Sequence, residues 1–499
     1  MNTGNRRGPR WAGAGLAAAL ALAGCAAGPD YTRPAMDLPA AYKEAGPWKP
    51  AEPGAIDGNM RWWEAYGDAT LNTLIDQANA ANQTIQQAQA QYRQARAAAD
   101  AARAGFWPTV GVSASAQRAR AKSNGVTAVS NGYAAALDVS WEPDLWGAVR
   151  RQVEASDATT QSSAASLAAA RLSIQAALAQ DYLQLRAVDR EKELYARTLQ
   201  AYARTLKLTQ SQYDAGVALR SDVAQAEAQL KTAQAQAIDL DASRSQLEHA
   251  IAILTGRTPA QFDLPALPAG QPWTYQAPPV PTGLPSALLE RRPDIAAAER
   301  NVASANAGIG VARAAYFPSL VLSASGGFGA ASFAQWFNAP GRVWSLGALL
   351  AETVFDGGLR KARDAQAVAV FDASAAQYKQ TVLGAFQEVE DNLSTLRVLD
   401  DEARVQDDAV AASRLSEQLA LAQYRAGTTT FLTVAVAQAL TLSNERAAVQ
   451  LRGRQLVASV ALVKAVGGGW NAAALNTPDA AALAVAGPGQ AASTTTQNE

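Results

Sequence analysis

Two side chains in this 499-residue chain have no counterpart of their own type: Cys25, the only cysteine, and His249, the only histidine. One of each cannot build a His/Cys zinc site, which needs three or four such ligands. A serine nucleophile would have to use His249 as its base. That residue sits in an Ala- and Gln-rich helical stretch, where it reads as a solvated or paired helix residue. No pair of carboxylates lies in a supporting motif, so an enzyme reading has nothing behind it. Lys and Arg number 43 against 44 Asp and Glu, whereas a nucleic-acid binder would show a basic patch. No cofactor, metal or nucleic-acid partner is expected. What remains for Cys25 is modification of its thiol.

The residues before Cys25 say which modification. Arg6, Arg7 and Arg10 precede an apolar run from Trp11 to Ala23, the basic and hydrophobic regions of an export signal. The run is too short for a spanning helix, which needs about 20 apolar residues. It ends in Leu22-Ala23-Gly24-Cys25, which resembles the lipobox of bacterial lipoproteins. There the cysteine thiol takes a diacylglycerol, and the amine freed by cleavage is acylated. Residues 1–24 are therefore expected to be a signal peptide and Cys25 the lipidated start of the mature chain. Two or three acyl chains anchor stably where one would not. Ala26 in place of Asp after the cysteine favours, by the same resemblance, sorting to the outer membrane.

The elements behind this leader are duplicated. Phe106-Trp107-Pro108-Thr109 is answered by Tyr316-Phe317-Pro318-Ser319, and Gly147-Ala148-Val149-Arg150-Arg151 by Gly357-Gly358-Leu359-Arg360-Lys361, both 210 residues later. Tyr213-Asp214-Ala215-Gly216 is answered by Tyr424-Arg425-Ala426-Gly427 at 211. Each copy holds very long helical runs. Ala148–Ala215 has no Pro or Gly in 68 residues, and Leu359–Ala426 has one Gly in 68. At 1.5 Å per residue such a run reaches roughly 100 Å. Runs of 39 residues follow, Val217–Thr255 and Thr428–Val466. Gly216 and Gly427 read as glycines that stop one helix and let the chain reverse. The apolar positions are mostly Ala, which suits a wall of closely packed helices better than a two-stranded rod with a Leu/Ile seam.

Between the helices the pattern alternates. Val110, Val112, Ala114 and Ala116 share one face of a strand, and Gly111, Ser113, Ser115 and Gln117 the other. Tyr133, Leu137, Val139 and Trp141 alternate with Asp138, Ser140 and Glu142. Period-2 segments with aromatic residues near their ends fit membrane β-strands. Asp138 lies on the polar face, which should line a lumen, since charge facing lipid is destabilising. Four strands per chain cannot close a barrel, because the smallest have about eight and open edges are not tolerated in lipid. Two copies would supply about eight strands and three about twelve, and spacing does not choose between them.

These segments resemble the outer membrane factor (TolC-like) family, in the lipoprotein branch serving resistance–nodulation–division efflux pumps. The resemblance rests on Gly28-Pro29-Asp30-Tyr31-Thr32-Arg33-Pro34, on Trp62-Trp63-Glu64-Ala65-Tyr66-Gly67-Asp68, on Leu289-Glu290-Arg291-Arg292-Pro293-Asp294-Ile295 and on Gly467-Gly468-Gly469-Trp470, in order along nearly the whole mature chain. It implies a mainly α fold with membrane β: a homotrimer with a 12-strand outer-membrane barrel, four strands per chain, on a 12-helix periplasmic barrel. The expected layout is a lipidated lead and equatorial segment, 25–68, followed by a first repeat, 69–256, with strands 108–120 and 132–145 and helices 69–104, 148–215 and 217–255. A Pro-rich equatorial linker, 257–285, leads to a second repeat, 286–467, with strands 318–330 and 342–356 and helices 286–315, 359–426 and 428–466. A tail, 468–499, rich in Ala, Gly, Ser and Thr, is expected to be partly disordered.

The resemblance also implies function: a passive exit duct in the outer membrane for drugs and other small toxic compounds, bound to a periplasmic adaptor and through it to an inner-membrane transporter of that class. A tunnel open at its far end would leak, so a gate belongs at the helical turns. The residues expected there, as gate and adaptor contacts, are Tyr213, Gly216, Arg220 and Asp222 in the first copy and Tyr424, Arg425, Gly427 and Leu432 in the second. Asp222 matches a family acid and Leu432 an apolar constriction, and this pair is expected to hold the resting gate shut. Where family members often carry an acid and a basic residue, this chain has Val436 and Gln423, which removes the usual charged latch. Two other readings compete: a type I protein secretion duct of the same fold, and a periplasm-spanning structural lipoprotein without a pore. The lipobox and Arg291-Arg292-Pro293-Asp294 favour drug efflux over the first, and the alternating strands argue against the second.

Overall fold

A computed structural model describes residues 27–37, 39, 41–44, 61–123, 126–268, 270 and 288–476. The expected signal peptide, Cys25, residues 271–285 of the linker and the tail beyond Asn476 lie outside the described residues. The chain divides into two compact units, one of residues 1–35, 91–163 and 297–379, the other of residues 36–90, 164–296 and 380–499. Its helices are α1 (Ala69–Ala81), α2 (Gln83–Ala104), α3 (Ala148–Asp214), α4 (Arg220–Leu254), α5 (Pro293–Ala314), α6 (Leu359–Arg425) and α7 (Phe431–Ala465), with short turns between. Its strands are β1 (Thr109–Ser123), β2 (Val126–Trp141), β3 (Ser319–Ala330) and β4 (Arg342–Ala351). The duplication is visible in the lengths: α3 and α6 both have 67 residues, α4 and α7 both 35. Among the described residues no helix is long and apolar enough to cross a membrane.

The strands form one antiparallel sheet in the order β1-β2-β3-β4, leaving β1 and β4 as edges. The loop expected over 121–131 is largely strand: β1 and β2 pair as far as Ser123 opposite Val126. The two residues between them are Asn-Gly, the dipeptide that suits a tight hairpin turn. β4 ends at Ala351 rather than near 356, because its last partner, Ser319, is the first residue of β3. The register confirms the alternation. Gly111, Asp138 and Ser325 align across three strands, and the Ser113 hydroxyl donates to Asp138 Oδ2 at 2.8 Å. The other face carries Val110, Val112, Leu137, Leu346 and Leu350, all exposed in the single chain. An Asp138→Cys variant is expected to react with a charged maleimide in proteoliposomes and a Val112→Cys variant to stay unlabelled; equal labelling would overturn this assignment of faces.

In the same unit, residues 27–35 are strapped onto helices. The Ala27 N–H donates to Trp146 O (3.1 Å), Arg151 donates to Ala27 O (3.2 Å) and pairs with Asp30 (2.8 Å), and Asn306 donates to Pro29 O (2.9 Å). Gly28 lies so close to α5 that a Cβ there would stand 2.5 Å from Gly310 Cα. At the end of the strap the Tyr31 hydroxyl donates to Glu299, which also takes Arg300 and faces Arg33 at 3.7 Å. Burial pushes the Glu299 carboxyl up, but the Arg300 and Tyr31 hydrogen bonds outweigh it, so the carboxyl stays below its usual range. A depressed folded-state value stabilises fully above the ordinary glutamate range, near 4.3, and the gain is lost as pH falls through the depressed value. Glu299→Gln should therefore lower the melting temperature at pH 7, and the gap to wild type should narrow as pH falls toward 3.

In the other unit, two expected helices are each divided. The stretch 69–104 breaks at Asn82, whose extended backbone ends α1. Its side chain accepts from the Thr84 and Ile85 N–H groups, at 2.9 and 3.2 Å, and donates to Leu254 O at 2.9 Å. Asparagine offers the backbone a local partner that competes with the helix ladder. The stretch 286–315 is a single turn, Leu288–Arg291, followed by α5, because Pro293 disfavours helical backbone at Arg292. Arg292 is buried and bridges Asp294, Glu388 and the carbonyl of Ala465.

Candidate functional site

The two helical turns expected to carry function have the same backbone. In the first, Gly216 has φ +74°, its N–H donates to Tyr213 O (2.9 Å) and the Val217 N–H to Gln212 O (2.8 Å). In the second, Gly427 has φ +70°, its N–H donates to Tyr424 O (3.1 Å) and the Thr428 N–H to Gln423 O (3.0 Å). This is the Schellman arrangement, and its left-handed residue favours glycine. Both turns lie in one unit.

The side chains on this shared backbone differ. Tyr213 is exposed and Arg220 stands over its ring, 5.9 Å from the centroid. The position equivalent to Arg220 is Phe431, which is fully buried and meets Tyr424 edge-on at 5.8 Å. Tyr424 is 5% exposed and packs with Phe431, Val434, Ala420 and Ala226, and its hydroxyl donates to Thr209 Oγ1 at 3.3 Å. The Tyr424 ring thus holds the two hairpins together instead of facing outward. Sequence reasoning missed Phe431 and Val434 as its partners. The signal was the break in the repeat, Phe where the first copy has Arg.

Asp222 also has a local task. Its carboxylate accepts the Leu219 N–H at 3.2 Å, capping the start of α4. An acid there favours the positive end of the helix dipole. Arg425 and Gln423 are exposed on the last turn of α6. Leu432, Val436 and Leu440 are 56%, 60% and 51% exposed. Spaced four apart, they form one apolar stripe on α7, away from the buried Phe431, Val434 and Gln438. Val217 and Leu219 are likewise exposed at the first turn.

Behind the turns a 310 Å3 cavity is lined by residues including Tyr202, Arg414, Glu417, Gln438, Thr441 and Glu445. Burial pushes the Glu417 carboxyl above its usual range, only partly countered by hydrogen bonds from Thr441 and Gln438. Arg414 pairs with Glu445 at 2.5 Å. Among the described residues no group of three His, Cys, Asp or Glu could hold a metal ion. The arrangement offers apolar and aromatic contact at an end of paired helices. Tyr424→Ala should cost about 3 kcal/mol of local stability, as other buried aromatic truncations do, and speed amide exchange in the second turn. Tyr213→Ala should cost about 1 kcal/mol or less, the scale of an exposed cation–π contact.

A family model described as outer membrane efflux protein matches residues 74–257 and 284–468. The chain is 31% identical over 460 residues to the antibiotic efflux pump outer membrane protein ArpC of Pseudomonas putida, covering 91% of this chain and 94% of that one. It is 33% identical over 423 residues to the pyoverdine export outer membrane protein OpmQ of the same species, covering 83% and 89%. Among solved structures, the outer-membrane channel OprN superposes with a TM-score of 0.84 at 34% identity, covering 89% of this chain and 100% of that one.

Proposed function

Because the chain belongs to the outer membrane efflux protein family, we propose that three copies of it form the exit duct of a tripartite pump, receiving small toxic compounds through a periplasmic adaptor from an inner-membrane resistance–nodulation–division transporter. The protein is an efflux channel of the Gram-negative outer membrane. The observation that carries the assembly is the open sheet: β1 and β4 each present an unpaired edge, which lipid does not tolerate. Three copies close a barrel of twelve strands, the count that the family resemblance implies. Relatives named for antibiotic efflux and for pyoverdine export support a duct that leaves selection to the transporter. Lipidation at Cys25 is supported by the lipobox-like Leu22-Ala23-Gly24-Cys25 directly after the apolar run.

The gate and the adaptor contact lie at the two turns. Asp222 is engaged in capping α4, and Gln423 and Val436 supply no charge. Closure in the resting state therefore rests on the apolar stripe, with Leu432 at its tip and Val436 one turn behind. Val217 and Leu219 at the first turn supply apolar surface for the adaptor, with Tyr213 and Arg220 beside them in sequence, and Arg425 is exposed at the second turn. A Leu432→Ser/Val436→Ser variant is expected to raise single-channel conductance several-fold in planar bilayers and to admit large antibiotics to the cell, whereas Asp222→Asn should change conductance much less. Conductance of the double variant equal to wild type would sink the apolar gate.

A further inference from the structure

The turn ends of the two strand hairpins carry charge of one sign. From Ala114 to Leu137 and from Gly326 to Ser345 the chain has Arg118, Arg120, Lys122 and Arg342 and no acidic residue, although its net charge is −1. Arg118, Arg120 and Lys122 are spaced two apart on β1, so they share a face. The register identifies it. Val110, Val112, Ala114 and Ala116 precede them on that face, and their partners across β2, Asn131, Val129 and Thr127, continue the row of Leu137, Ala135 and Tyr133. The cations therefore continue the apolar face, not the polar face of Ser113 and Asp138. All four are exposed, and among the described residues none of them makes an ion pair.

The order of side chains along that face is that of a membrane boundary. First comes the apolar band. Next is an aromatic cluster in which Tyr133 meets Phe333 and Trp336 at 5.7 and 5.8 Å, and Phe328 meets Phe337 at 5.6 Å. Such rings mark the headgroup level of a transmembrane barrel. Arg118 stands two residues beyond the Ala116–Tyr133 pair, about 7 Å along the strand, and Lys122 about 13 Å further. Pairing of β2 with β3 ends at Tyr133 opposite Ala330, so beyond it β1 and β2 continue as a two-stranded ribbon, which is marginal in water on its own.

Resting on the outer-membrane placement above, we propose that this row binds the phosphate groups of the lipid in the outer leaflet. Guanidinium groups match phosphate oxygens in pairs, and a lysine adds a point charge. Clusters of such cations just beyond an apolar span draw anionic headgroups. With no carboxylate to repel them, bound phosphates would hold the ribbon against the membrane surface.

The test uses full-length protein in detergent, with native mass spectrometry and three probes: bisphosphorylated lipid A, the same lipid A dephosphorylated, and inorganic phosphate. Wild type is expected to hold the bisphosphorylated lipid at least about tenfold more tightly than the dephosphorylated one, and an Arg118→Gln/Arg120→Gln/Lys122→Gln variant to lose most of that preference. Inorganic phosphate alone should leave no adduct. Equal affinity of wild type for both lipids, or an undiminished preference in the variant, would overturn the proposal. If the triple variant does not assemble, the single variants should show graded losses, and none with any loss would equally overturn it. Planar-bilayer conductance of wild type tests the channel reading separately, because a conducting protein without lipid preference refutes only the phosphate row.

Discussion

A sheet that enters lipid has to satisfy every backbone N–H and C=O within protein, and this chain cannot do so alone. Its four strands pair consecutively, so β1 and β4 are left with unmatched ladders. Water could solvate such edges in a soluble protein. In hydrocarbon each unpaired group costs several kcal/mol, and a strand of ten or more residues carries many of them. The sheet's apolar face, with Val112, Leu346 and Leu350 more than half exposed, cannot remain in water either. Lipid contact and edge closure are thus coupled demands, and both are met only by further copies of the chain.

The duplication follows from the same demand. Two antiparallel hairpins in the same sequence order, each followed by long helices, give one polypeptide two equivalent passes through its architecture. The long helices keep their lengths between copies, because a wall of parallel helices tolerates no mismatch in reach. The side chains at the turns diverge freely, because capping there is carried by backbone and glycine. Arg220 and Phe431 occupy equivalent positions, one over an exposed ring and one buried under Tyr424. One copy presents a surface while the other supplies the core that anchors it.

Much of this was legible in the sequence, for physical reasons that can be named. Gly216 and Gly427 stop their helices because a left-handed residue is needed there, and only glycine takes it without strain. Alternation predicted the faces of β1 and β2, since pleating fixes a period of two. The outer ends of these strands were hidden because Lys122, Ser123, Ser130 and Asn131 resemble loop composition, while their pairing depends on the partner strand. Asn82 was hidden because its break depends on Leu254 O, a contact from another helix. The core role of Tyr424 could be read only as a deviation between copies. Asp222 shows the reverse: the acid was visible, but its use as a helix cap depends on where the turn ends.

The proposed closure by apolar contact would have consequences that a charged latch would not have. Ion pairs exposed to the periplasm weaken with salt, over a screening length of about 8 Å at physiological ionic strength. They also respond to pH through their carboxylates. The stripe of Leu432 and Val436 is nearly indifferent to both, which suits a compartment that exchanges small ions with the exterior. Its cost falls on opening. Three chains would bring six such side chains together, and wetting them again would cost on the order of 10 kcal/mol if burial were complete. Thermal fluctuation alone would then leave the gate shut. With the proposed gate, opening would need a partner that covers apolar surface at the tips as the constriction parts, and exposed Val217 and Leu219, close to the Tyr213–Arg220 pair, would be the surface to take that contact.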